Sequence, residues 1–168
     1  MPGISKYVPL LVVICLGVVV QLILIPLDCA STPHDTALDF TKAYLKIDPS
    51  MQRYLCEDSK TVDDVDMVAQ YIYDMSKNAK DRGFDTSYLK SKLYHVMTHT
   101  TYRNDSEASV SITAHKRTAI NPVFALVAKL FFIGETHPFE ETLEVVKEDG
   151  KWKVCGSPLA LHESLGFE

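Results

Sequence analysis

The sequence predicts an α+β domain, helices first and a curved antiparallel sheet after them, carried behind one N-terminal transmembrane helix. Three observations predict it. Residues 7–27 hold no charged side chain. From Pro33 to Arg82 apolar residues recur at three- and four-residue spacing, the period of a helix with one buried stripe. After Gly83 the period drops to two, and Thr, Tyr and Val take over, as they do in strands. A chain of 168 residues supports one sizeable core rather than two. The expected division is therefore an anchor over 1–30 and an extracytoplasmic α+β domain over 31–168.

The apolar run from Tyr7 to Leu27 reaches roughly 31 Å as a helix, close to the hydrocarbon thickness of a bilayer. Gln21 is its one strongly polar side chain, and Pro9 and Pro26 lie at its two ends, where a helix tolerates proline best. A buried helix of a soluble protein would show a polar face, and this segment has none. Lys6 precedes the span, while Asp28, His34, Asp35 and Asp39 follow it. That asymmetry keeps the N-terminus in the cytoplasm and the domain outside, at an inner or plasma membrane. Cleavage after Ala30 would put Asp28 where signal peptidase wants a small residue, so the anchor is expected to persist. Pro26-Leu27-Asp28-Cys29 also lacks the small residues of a lipoprotein signal.

The net charge is −5, and it stays there without the first thirty residues, which hold one cation (Lys6) and one anion (Asp28). An acidic surface releases no phosphate counterions, so nucleic acid is not an expected partner. Of four cysteines, Cys15 lies in the span and Cys29, Cys56 and Cys155 lie beyond it. An oxidising compartment permits a disulfide there, and Cys56 with Cys155 is the preferred pair because both fall in ordered elements; isolated thiols are the alternative. No Cys-x-x-Cys occurs, so neither a metal nor a cofactor is expected.

The elements follow in order. Thr32 can cap, Pro33 suits the first helical position and Asp35 complements the dipole, so a helix starts there. Ala37, Phe40, Ala43, Tyr44 and Ile47 form its stripe, and Asp48-Pro49-Ser50 breaks it. A short second helix carries Met51, Tyr54 and Leu55. A third is expected over Val62–Arg82, with Asp63, Asp64 and Asp66 in its first turn, Lys77, Lys80 and Arg82 at its end, and Gly83 as the stop. Strands are expected over Lys92–Arg103 and Ala108–Thr118, around Phe139, Leu143 and Val145, and over Trp152–Cys155. Asn104-Asp105-Ser106 and Glu148-Asp149-Gly150-Lys151 make the turns.

Between the second and third strands an apolar helical insertion is expected over 119–137. Asn121 can cap it, Gly134 can end it, and between those two lie Phe124, Leu126, Val127, Leu130, Phe131 and Phe132 with Lys129 as the lone charge. At about 1.5 Å per residue the stretch is too short to span a bilayer. It is apolar all round, so something must cover it. The domain's own pocket mouth, a protein partner or second copy docking through 121–133, and the bilayer surface are the three covers open to it.

Helices followed by an antiparallel sheet that ends in Leu143-Glu144-Val145-Val146-Lys147-Glu148-Asp149-Gly150-Lys151-Trp152-Lys153-Val154-Cys155 resemble the nuclear-transport-factor-2-like (cystatin-like) superfamily, in particular its small bacterial secreted or lipid-anchored domains. Thr36 to Asp48, with Phe40 and Tyr44, is similar to the opening helix of that group, and the resemblance covers roughly Pro33 to Gly156. It implies a cone in which helices close one side of a bent sheet over an apolar pocket. Some members are enzymes and many are binding domains, so fold does not give function. Thr118 to Pro138 replaces the short hairpin usual in the family.

An isomerase-type member needs a carboxylate base inside the pocket with a hydrogen-bond donor opposite. Glu141, in phase with Phe139 and Leu143, is a weak candidate for the base, and Tyr94 or Tyr102 for the donor. Solvent for Glu141 and half-buried packing for the tyrosines is the plainer reading. His95 and His99 lie about 13 Å apart along a strand, too far for one zinc ion. Asn104-Asp105-Ser106 matches a glycosylation acceptor but serves equally as a turn. Helix-start electrostatics account for Asp63, Asp64 and Asp66 without calcium. The expected function is a membrane-anchored, non-enzymatic binding or assembly domain that uses the insertion and the pocket mouth to hold a partner or an apolar ligand. An isomerase- or hydratase-like enzyme and a lipid-handling domain are the alternatives.

Overall fold

Thr32 opens the first helix of the domain as its N-cap, accepting a hydrogen bond from the Asp35 backbone N–H at 3.3 Å, with Pro33 in the first turn. In the computed structural model, residues 12–18, 31–118 and 136–159 are described. The chain falls into two compact units, Met1–Ser31 and Thr32–Glu168. In the first, residues 12–18 are helical and expose Val12, Val13, Ile14, Leu16 and Val18. The rest of the expected 7–27 span lies outside the described residues. Among the described residues no helix is long and apolar enough to cross a membrane.

In the second unit α1 (Pro33–Leu45) buries Ala37, Phe40, Thr41 and Tyr44. The chain turns through Ile47 at φ 52°. Asp48 then caps a 3-10 helix, Pro49–Tyr54, through the Ser50 N–H at 2.8 Å. Leu55 pairs with Val154 as a parallel bridge, so this stretch lines the free edge of the last strand before α2 (Glu57–Lys60) begins.

The helix expected over 62–82 starts later. Thr61–Val62 (β1) and Val65–Asp66 (β2) form a two-stranded hairpin, with Asp63 at φ 50° and Asp64 at φ 63° in its turn. Both central residues have positive φ, as this tight hairpin turn requires, and Asp tolerates that region better than most residues. The acidic cluster thus serves a turn and a cap rather than one helical end. Asp66 caps α3 (Met67–Asp81), its carboxylate accepting from the N–H groups of Val68 at 2.9 Å and Ala69 at 3.0 Å. At the far end Gly83 takes φ 76°, and the Phe84→Ala79 (2.8 Å) and Gly83→Lys80 (2.9 Å) backbone bonds close the helix as a Schellman motif.

After a 3-10 turn, Thr86–Leu89, come β3 (Ser91–Tyr102), β4 (Glu107–Thr118), β5 (His137–Glu148) and β6 (Lys151–Cys155). They form an antiparallel sheet in the order β3-β4-β5-β6. Ala108, Val110, Ile112 and Ala114 alternate inward on β4, and Phe139, Leu143 and Val145 do so on β5. All of these but Ala108 meet Phe40, Tyr44, Leu55, Tyr71 and Met75 in one core. The β5–β6 turn places Asp149 at φ 50° and Gly150 at φ 76°, as a two-residue hairpin of this hand requires. The β3–β4 turn uses Asn104: its carbonyl oxygen accepts from the Ser106 N–H at 2.8 Å and its amide donates to Glu107 at 3.1 Å.

β3 carries one irregularity with consequences. Tyr94 pairs with His115, but Met97 pairs with Thr113, so His95 and Val96 together face Ala114 across a β-bulge, with His95 at φ 50°. One extra residue reverses the side to which the strand's side chains point. Val96 packs against the core, and by register Thr98, Thr100 and Tyr102 follow it on the inner face, while Tyr94 lies on the outer face with His115.

Candidate functional site

A cleft opens where α2, the β1–β2 hairpin, α3 and the segment after β6 converge. Its volume is about 350 Å³, and Val62, Met67, Tyr71, Pro158 and Leu159 supply its apolar walls. Three of the polar lining groups are already engaged. The Gln70 amide donates to both Asp74 carboxylate oxygens, at 3.1 and 3.0 Å. Ser59 Oγ donates to the Gly156 carbonyl at 3.0 Å, and Tyr71 Oη donates to the Tyr44 carbonyl at 3.2 Å. What such a lining offers a ligand is mainly apolar surface, with the Asp74 carboxylate as the charge at hand.

The cleft is held by a staple. Cys56 and Cys155 are joined as a disulfide, with Cα atoms 5.2 Å apart and a sequence separation of 99. Cys56 immediately precedes α2, and Cys155 immediately precedes Gly156, so the bond ties together the two segments that form one wall. The Cys56 N–H donates to the Val154 carbonyl at 2.9 Å, and Lys153 Nζ donates to the Arg53 carbonyl alongside. Among the described residues one group of three metal-capable side chains gathers, Cys56, Glu148 and Cys155, and both sulfurs are consumed by the disulfide.

A second polar feature lies inside the domain. Tyr44 is fully buried, its ring stacked on Tyr71 at 4.5 Å and on Phe40 at 6.1 Å. Among the described residues its hydroxyl lacks a hydrogen-bond partner of good geometry, with the Tyr71 phenol beside it. Burial first, then the neighbouring Tyr71 and the charge of Glu141, push the Tyr44 phenol well above the usual tyrosine range. Burial pushes the Tyr71 phenol up to about 12. Glu141 is half-buried and pairs with Ile112, which places it on the inner face. Lys116 is buried in phase with Ala114, and desolvation holds its ammonium below the usual lysine range.

Of the residues singled out by sequence, Cys56 and Cys155 are brought together and Glu141 turns inward. Tyr94 and Tyr102 are not brought together. The bulge puts them on opposite faces, and both are exposed, Tyr102 with its ring 6.4 Å from that of Trp152. Neither is placed as a donor opposite Glu141; the phenol whose titration Glu141 perturbs is Tyr44. Phe124, Leu126, Val127, Leu130, Phe131 and Phe132 lie outside the described residues. The cleft residues Ser59, Val62, Met67, Gln70, Asp74 and Pro158 left no signal in sequence, because the site is assembled from short pieces of separate segments. Tyr44 was legible as a core residue from its spacing with Phe40, but its orphaned hydroxyl was not.

Fold and site define an α+β domain with helices laid over one face of an antiparallel sheet and a small apolar cleft at the edge of that layer. The chain is similar to a solved NTF-2 like protein of unknown function from Shewanella oneidensis MR-1, with 14% identity, 73% of this chain and 94% of that chain covered, and a TM-score of 0.42. No protein-family model and no curated protein matches the chain.

Proposed function

We propose that this chain is a binding domain of the extracytoplasmic space, anchored through residues 7–27, which takes an apolar small molecule in the cleft between α3 and the segment after β6. The observation that carries the binding role is the cleft itself, about 350 Å³, in which Ser59 is engaged by Gly156 and Gln70 by Asp74. That is the character of a pocket for an apolar body rather than for a sugar or a nucleotide. The disulfide supports an oxidising compartment, and the uncharged run over 7–27 supports the anchor. The apolar stretch 121–133 is the proposed surface for a protein partner or a second copy, on the strength of its composition.

The test is a titration of the full-length chain, in neutral detergent, with a fluorescent apolar probe. Ser157→Trp places bulk at the cleft wall. Saturable binding that Ser157→Trp abolishes, with the melting temperature unchanged, supports the cleft. Equal binding by wild type and variant rejects it.

A second reading is an isomerase- or hydratase-type enzyme, favoured by the orphaned Tyr44 hydroxyl inside the domain and by the Glu141 charge acting on it. In that reading Glu141 is the base and Tyr44 the donor, in place of Tyr94 or Tyr102. Glu141→Gln would then eliminate turnover of an apolar carbonyl substrate without altering the melt. Turnover retained in Glu141→Gln excludes it.

A further inference from the structure

Away from the cleft, the outer face of the sheet gathers cationic and imidazole side chains around a hollow of about 410 Å³ lined by Tyr94, His95, His115, Arg117 and Thr136. The β-bulge makes this gathering possible. In a regular strand the side chain after Tyr94 would point to the opposite face. With φ at 50°, His95 instead meets His115 edge-on, ring centroids 6.0 Å apart. A non-glycine residue in that backbone region is uncommon, and bulges that re-aim one side chain recur beside functional sites.

The chemistry of the lining points to an anion. Among the described residues every lining side chain can donate a hydrogen bond and none is a carboxylate, in a chain whose net charge is −5. By register, the charged or titratable described residues on this face of β3, β4 and β5 are Lys92, paired with Arg117, Tyr94, paired with His115, and Glu140, opposite Thr113, with His99 and Glu144 farther along, opposite Ser111 and Ser109. A divalent metal fits less well, because no third ligand joins the two imidazoles among the described residues. Several donors converging on one hollow suit an oxyanion whose oxygens each accept more than one bond.

We infer that Tyr94, His95, His115, Arg117 and Thr136 form a binding site for a phosphate group, distinct from the apolar cleft and independent of the function proposed for it. Protonating the imidazoles adds charge and donors, so binding strengthens on acidification.

The test is calorimetric titration of the full-length chain in neutral detergent with inorganic phosphate and, separately, with short-chain phosphatidic acid, at about pH 6 and about pH 8. Saturable binding of either probe, stronger at the lower pH, is the expected result, and the preferred probe tells whether the source is a free phosphate or a lipid headgroup. His95→Asn, which tolerates the same backbone, and His115→Gln should each weaken it by roughly tenfold, the usual worth of a charge-assisted hydrogen bond. His99→Ala, farther along the same face, should leave it unchanged. No saturable binding of either probe, or binding that survives the paired His95→Asn and His115→Gln substitutions at both pH values in protein with an unchanged melt, overturns the site.

Discussion

Tyr44 shows how much one side chain settles. Its ring is held by Phe40 and Tyr71, and among the described residues its buried hydroxyl has no partner of good geometry. A buried unsatisfied hydroxyl costs about 1–3 kcal/mol, so Tyr44→Phe should be neutral or raise stability by about 1 kcal/mol in denaturant titration. If the same substitution instead weakened ligand binding or turnover, the hydroxyl would be serving a ligand. The paired phenols also set an alkaline limit. A phenol whose folded pKa is raised retains its proton while the unfolded chain releases it. Stability is therefore fully present below about pH 10, the ordinary tyrosine value, and falls as the pH rises above it. For Tyr71 that loss runs up to its folded value of about 12. Thermal melts of wild type and Tyr71→Phe across this window should show the shallower decline in the variant.

At the scale of elements, caps and turns decide where each piece begins. The period-3.6 stripe ran continuously from Val65 to Ala79 in sequence, yet the helix starts only at Met67, because Asp66 offers its carboxylate to two backbone N–H groups. Asp66→Ala should cost about 1 kcal/mol, read as a drop in the denaturation midpoint with unchanged slope. The strand pattern of β4 was fully legible, since Ser109, Ser111, Thr113 and His115 alternate without a break against Val110, Ile112 and Ala114. That of β3 was not, since Thr, Tyr and Val follow one another with no polar alternation to betray a bulge at His95. The single consequence of that bulge is large: it separates Tyr94 from Tyr102 and turns His95 beside His115.

Across the whole molecule the disulfide is the one covalent long-range tie among the described residues. Cys56 and Cys155 are 99 residues apart, and closing a loop of that length restricts the unfolded chain by up to about 4.7 kcal/mol on the loop-entropy account. Reduction should therefore lower the melting temperature by many degrees. It should also loosen the wall formed by α2 and residues 156–159, so probe binding in the cleft should weaken in reductant before the sheet unfolds. Circular dichroism and probe fluorescence followed in parallel during reduction would separate the two. Binding that falls only together with the far-ultraviolet signal would show that the staple serves stability alone.

The sequence by itself determined the class of fold, the order and approximate extent of the helices and strands, the apolar run at the N-terminus and the two cysteines suited to pairing. All of these follow from local rules: periodicity, capping chemistry, turn residues and charge, each readable within a dozen residues. Only the tertiary structure decided which groups meet. The cleft draws on α2, the β1–β2 hairpin, α3 and the segment after β6, the orphaned hydroxyl of Tyr44 depends on what surrounds it, and the two imidazoles converge because one residue of β3 adopts a left-handed conformation. Neighbourhoods of this kind arise from packing between distant segments, and local patterns carry no record of them.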